Sequence, residues 1–546
     1  MMNLLRDVPV ASVMRSSMQL VPSRTPLALE LRSVTKRYGA VTALDDVSLE
    51  VRAGSVHCVL GENGAGKSTL CGIVFGAQRP DSGEVRVNGT ILDARRPADA
   101  LARGIAMVHQ HFSLVGTLTV AENLALGGLR RRRGVREAAQ RLAQLGERYD
   151  LHVPANAVVE QLSVGERQRV EILKALASDP HLLLLDEPTA VLPPAEVASL
   201  LKLCRRIADD GRAVVLVTHK LAEARKVAER ATVLRAGRAI ATVDLASVDD
   251  DQLVRLMVGR DVGATGGAVA AALGLTAGSG PRPIESVLPT FGSPAISVSE
   301  LSLEVQGGAP VLDRISLEVR RGEIVGLAGV EGNGQSELAR ILAGAQAPTR
   351  GTQQLAGKDI AAFRPRERAR LGLAVIPEDR HAEACIDGLS IAENLVLGDL
   401  KQYTRFGLLR RGAIAARAKQ LMTEWDVRAP GPFVAMKALS GGNQQRVVLA
   451  RELSRDPLVA VLAAQPTRGL DVGAVVGVLT RLRAAARAGA GVLIISSELT
   501  ELLATCHRIA VIHRGRIVGE VSTSATDALE RIGALMSLGA EAPCPQ

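Results

Sequence analysis

The chain has 546 residues, 47% hydrophobic and 23% charged, which is ordinary for a folded protein and outside the low-hydrophobicity, high-charge range of disorder. That length exceeds one compact core and predicts several domains. A net charge of +9 at pH 7 suits nucleic acid, anionic headgroups or nucleotide phosphates alike, but 2% aromatic residues leave too few stacking platforms for a single-strand binder.

Residues 1–27 scatter Arg6, Arg15 and Arg24 among short apolar pieces without the continuous apolar stretch of a secretory signal, and are read as a disordered tail. A first domain over 28–260 opens with strand-like segments, Leu29 to Val34 and Val47 to Val51, followed by a glycine loop and a helical stretch. The runs Leu182 to Leu185 and Val214 to Val217 lack alternation, as strands buried on both faces of a parallel sheet do. A helical insertion is expected from roughly 115 to 165, and the fold class is α/β. Six cysteines stand singly without C-x-x-C spacing, which fits a reducing compartment and excludes a zinc ribbon. No apolar run is long enough to cross a bilayer.

The chain then repeats itself. Leu44 to Gly61 reads LDDVSLEVRAGSVHCVLG, and Leu312 to Gly329 reads LDRISLEVRRGEIVGLAG, at an offset of 268 (312 − 44). Leu162-Ser-Val-Gly165 returns as Leu439-Ser-Gly-Gly442. A duplicated domain follows, with the second copy at 295–525, a Gly/Ala-rich flexible linker at 261–294 and a C-terminal tail at 526–546.

Gly61-Glu62-Asn63-Gly64-Ala65-Gly66-Lys67-Ser68 matches the phosphate-loop pattern G-x-x-x-x-G-K-[ST], between the strand Val56 to Leu60 and a helix expected from Thr69. Its glycines let successive N–H groups face phosphate oxygens, with the helix dipole behind them. Lys67 then reaches the β- and γ-phosphates, and Ser68 ligates Mg²⁺. The strand Leu182 to Leu185 delivers Asp186 and Glu187 at its C-terminal end, where ligands bind in such sheets. Asp186 suits the Mg²⁺ shell and Glu187 the polarisation of an attacking water.

The second copy keeps the loop shape, Gly329 to Gly334, but carries Gln335 for Lys67, Ala464 for Asp186, Gln465 for Glu187, Ser497 for His219 and Glu378 for Gln110. These losses predict a site that does not hydrolyse nucleotide. His109 and His111 flank Gln110 in a spacing that suggests metal, but without further ligands they are read as non-metal. Arg130 to Arg133 is a basic run, read as a solvated face or as a contact for anionic headgroups.

Taken in order, the phosphate loop, Gln110, Leu162 to Glu166, Asp186-Glu187 and His219 resemble the ATP-binding cassette (ABC) family, twice over. The resemblance implies two tandem P-loop cassettes, each a RecA-like α/β core with an antiparallel β subdomain and a helical subdomain, packed head to tail. It implies ATP and Mg²⁺ as cofactors, with Glu187, His219 and Gln110 catalytic and Ser68, Gln110 and Asp186 at the metal. Nucleotide contacts are then Tyr38 at the adenine, residues Gly61 through Thr69, and in trans Ser440, Gly441, Gly442, Asn443 and Asp471. The first copy's own signature has Val164 where glycine is usual, and its Ala190-Val-Leu-Pro-Pro lacks the aspartate. Tyr38 is matched by Gln306.

Gln335-Ser-Glu, Ile376 to Arg380 and Ala464 to Asp471 look like the ATPase subunit of bacterial simple-sugar and nucleoside importers; Met107 to Phe112 and Leu162 to Val170 look more like the nucleoside branch. This implies a peripheral location on the cytoplasmic face of the membrane, two integral-membrane permease subunits, and an extracytoplasmic binding protein or lipoprotein. The alternative is a soluble tandem ABC protein acting on ribosomes or nucleic acid; the Gly/Ala-rich linker and single dismantled site weigh against it.

Overall fold

The computed structural model describes residues 26–39, 41–110, 112–126, 134–189, 192, 194–258, 291–305, 309–330, 332–470 and 472–538. Arg130 to Arg133, His111, Ala190, Val191, Gln306, Asp471, residues 1–25 and most of the expected linker lie outside them.

Among the described residues the first copy has ten strands: β1 (Leu27–Tyr38), β2 (Val41–Arg52), β3 (Val56–Leu60), β4 (Ser82–Val87), β5 (Thr90–Ile91), β6 (Ile105–Val108), β7 (Leu182–Asp186), β8 (Ala213–Thr218), β9 (Arg230–Arg235) and β10 (Arg238–Asp244). They form a four-stranded antiparallel sheet, β2-β1-β4-β5, and a six-stranded sheet, β10-β9-β3-β8-β7-β6. The larger sheet is parallel from β9 to β6, with only β10 reversed. Every residue of β3, β7 and β8 is buried, which explains why their sequences run apolar without alternation.

The second copy repeats both sheets with the same topology, and adds a short hairpin, Thr404–Arg405 with Leu408–Leu409. Helices Val120–Leu126 and Val135–Tyr149 and the start of Val164–Ala177 fill the predicted insertion of the first copy.

Two expected boundaries move. Residues 526–546, read as a tail, contain the helix Ala528–Leu538. Ala528, Ile532 and Met536 recur every four residues, line one face of that helix and are buried in the second copy's core. The linker also ends earlier than 294, because Phe291 packs edge-on against His507 with ring centroids 5.0 Å apart.

Candidate functional site: a nucleotide site at the first copy's strand ends

The phosphate loop joins β3 to the helix Lys67–Val74, which begins two residues earlier than expected. Gly66 precedes the helix at φ 103°, where a Cβ would lie 2.5 Å from the Ala43 carbonyl oxygen, so both conformation and space demand glycine. No side chain caps this helix; its first N–H groups remain for a ligand.

Three predicted side chains converge on one predicted carboxylate, Glu187. Lys67, only 5% exposed, donates to the carbonyl oxygens of Gly61 (2.8 Å) and Glu62 (3.1 Å), and its ammonium lies 3.5 Å from Glu187 Oε1. His219 Nδ1 lies 3.2 Å from the same oxygen, and Gln110 Nε2 donates to Glu187 Oε2 at 3.3 Å. Burial pushes the Glu187 carboxyl up, but the bonds and charges of His219 and Lys67 outweigh it and hold the group at about 2. Glu187 adopts φ 47°, a left-handed conformation uncommon for a non-glycine residue, at the turn leaving β7.

Asp186 is 4% exposed and accepts a bond from the Ser68 hydroxyl, while its buried Oδ1 has no hydrogen-bond partner among the described residues. Burial raises its pKa against the pull of Ser68. A hydroxyl and a carboxylate with an unsatisfied buried lone pair form a hard-oxygen set that fits Mg²⁺. His109 instead packs edge-on against Phe75 at 5.7 Å, and no cluster of three or more potential metal ligands occurs among the described residues.

Tyr38, 46% exposed, ends β1 with its hydroxyl bonded to the Gln78 side chain and the Lys36 ammonium 5.6 Å from the ring centroid.

The second copy's loop has the same backbone and different contents. Gly334 sits at φ 104° and Gln465 at φ 45°, matching Gly66 and Glu187. Gln335 folds onto its own loop, donating to the Val330 carbonyl at 3.0 Å and accepting from Asn333 N at 3.1 Å. Ser336 donates to Glu378 at 2.9 Å, and Glu378 also takes Arg468 at 2.6 Å. A protein cation therefore neutralises the carboxylate that bonds the Ser68 counterpart. Sequence reading missed Arg468, although aligning the copies through Asp186 and Ala464 puts it opposite Ala190, beside the lost carboxylates.

The signature Ser440 to Asn443 starts the helix Gly441–Leu453, one residue before the expected Gly442. Asn443 Nδ2 donates to Ser440 Oγ at 3.0 Å, and Gln445 anchors the helix by donating to the Pro466 carbonyl at 2.9 Å. The Arg380 guanidinium crowds Gly441, where a Cβ would lie 2.8 Å from it. In the first copy's signature, the Glu196 carboxylate instead lies against Gly165, where no Cβ fits. The phosphate loop touches the other copy directly: Asn63 Nδ2 donates to the Leu470 carbonyl at 2.8 Å, the residue preceding Asp471.

A family description, ABC transporter, matches residues 44–190 and again 312–463. The nucleoside import ATP-binding protein NupA of Lactococcus lactis is 41% identical over 514 residues, 93% of this chain and 97% of its own. The guanosine import ATP-binding protein NupO of Bacillus subtilis is 39% identical with the same coverage, and the ribose import ATP-binding protein RbsA 1 of Rubrobacter xylanophilus is 40% identical over 94% of this chain and 99% of its own. A duplicated cassette matched twice by the family and relatives of this kind along almost its whole length make the chain a member of the ABC transporter family.

Proposed function

We propose that this ABC ATPase is the energy-coupling subunit of an importer for nucleosides or simple sugars, and that it hydrolyses ATP at one composite site. The observation that carries the reading is the convergence of Lys67, Gln110 and His219 on Glu187 in the first copy, against a second copy in which all four positions are replaced. The import activities of the relatives favour this over a soluble ribosomal or nucleic-acid factor.

Phosphate oxygens compete for Lys67 with its present carbonyl and carboxylate partners, so nucleotide binding draws the ammonium from Glu187. A carboxylate held at about 2 orients and polarises water but is a poor proton acceptor; losing the Lys67 charge raises its basicity when the γ-phosphate arrives. His219 and Gln110 keep the carboxylate aimed. Ser68, Asp186 and Gln110 would hold Mg²⁺, which when bound neutralises charge on the β- and γ-phosphate oxygens. Ser440 and the N–H groups opening its helix supply donors from the other copy, and Asp471 is proposed as a further contact from that copy. Tyr38 is proposed to stack on the adenine.

No helix among the described residues is long and apolar enough to cross a membrane. From the import roles in the names of its relatives, we assign a peripheral position on the cytoplasmic face, against two permease subunits served by an extracytoplasmic binding protein or lipoprotein. The test is reconstitution with those partners and transport of labelled nucleosides and sugars. ATP-dependent uptake of either class, lost in Glu187→Gln, is expected; ATPase activity without uptake of any of them would contradict the importer reading.

A further inference from the structure

Lys220 and Glu498 are separated by 278 residues and form an ion pair, with Nζ 2.9 Å from Oε2 and 3.2 Å from Oε1. The same offset relates His219 to Ser497 and Asp186 to Ala464, so each partner is the other's structural counterpart. Their local geometry agrees: the backbone N–H of Lys220 donates to Thr218 Oγ1 and that of Glu498 to Ser496 Oγ, both at 3.0 Å. Contact between equivalent positions occurs where a pseudo-twofold axis passes between two copies.

Each residue also immediately precedes a helix, Leu221–Val227 and Leu499–Thr505, without capping it through its side chain. Equivalent helix N-termini therefore approach each other, and both carry partial positive charge. Lys220 adds a full positive charge to that repulsion, and the Glu498 carboxylate is the group that offsets it. With the side chains 17% and 31% exposed, the pair is shielded enough to matter. Identical cassettes would bring lysine to lysine or glutamate to glutamate; a fused, diverged tandem permits opposite signs. Behind Glu498, Glu501 is buried and hydrogen-bonded to Thr467, and burial together with the Glu498 charge pushes it up to about 8, so at neutral pH it competes little for Lys220. On the other side, Glu223 is held by Thr189 and Thr218.

We infer that Lys220 and Glu498 are positioning residues: their ion pair fixes the turn carrying His219 against the second copy, and so ties the placement of Glu187 to the packing of the two halves. The hydrolytically inert copy thereby acts on the working site through charge. This rests on the proposal that Glu187 and His219 serve hydrolysis.

The test uses the full-length chain, comparing Lys220→Glu, Glu498→Lys and the double exchange for ATP turnover and for affinity toward a fluorescent ATP analogue. Each single change should lower kcat by about ten-fold with affinity little altered, since a shielded charge is left facing a like charge, and the exchange should recover most of the loss. Glu498→Gln, nearly isosteric, should show a smaller kcat loss at an unchanged thermal midpoint, which separates positioning from misfolding. Single variants that turn over like the parent, or an exchange no better than the worse single, overturn the inference. Glu187→Gln is measured alongside: parental turnover in that variant would sink the hydrolysis reading instead, whereas an inactive Glu187→Gln with a failed exchange sinks only the ion pair.

Discussion

The two copies share a backbone and differ in charge. Gly66 and Gly334 sit at φ 103° and 104°, Glu187 and Gln465 at 47° and 45°, and the strand orders coincide. Yet the first loop gathers Lys67, Asp186, Glu187 and His219, while the second is closed by Gln335 and by the chain Ser336, Glu378, Arg468. Duplication preserved the expensive feature, strained turns set by the whole sheet, and released the side chains whose only role is phosphate chemistry. The signatures diverge in the opposite sense: the Arg380 guanidinium crowds the second copy's, and the Glu196 carboxylate lies against the first copy's. A cation stands by the signature proposed to face the working loop, and an anion by the other.

The comparison breaks hardest at Glu187. Glu187→Gln should keep ATP binding and lower turnover by about a hundred-fold or more, the scale of losing a positioned general base. Next is Ser440→Ala, which removes a donor from the other copy; turnover should fall by about ten-fold in a steady-state phosphate-release assay. Equal turnover in this variant and the parent would remove the head-to-tail assignment. Changes at the second loop should be small. Gln335→Ala should retain most hydrolysis, and Gln335→Lys should not add a second active site, because Ala464 and Gln465 still lack carboxylates.

Much of this was legible because phosphate chemistry depends on local patterns. A loop of eight residues, a strand ending in two carboxylates and their substituted counterparts can each be read without knowing the fold, and the structure brings Lys67, Gln110 and His219 together at Glu187. The Lys220–Glu498 pair was not legible, since its partners meet only when the copies pack and neither residue lies in a phosphate motif. Arg468 escaped because a loss is easier to see than its replacement. The helix Ala528–Leu538 was hidden for a different reason: its apolar stripe is short and sits where a tail was expected.

The smallest effect concerns pH. Glu501 is raised to about 8 in the folded protein, so it keeps a proton that the unfolded chain releases near the ordinary carboxyl range. Its contribution is full below that range and is lost as pH rises through about 8. Glu501→Gln should remove this loss, so that its thermal midpoint gains on the parent between pH 5 and pH 8.5; a pH-independent difference would contradict the assignment.

The central claim is that one pocket, built from both copies, does all the hydrolysis. Its most direct measurement is the amount of phosphate released per chain in a single turnover at saturating ATP, in the complex with the membrane partners. One equivalent per chain, abolished by Glu187→Gln and unaffected by Gln335→Ala, is the predicted result; two equivalents per chain would contradict it.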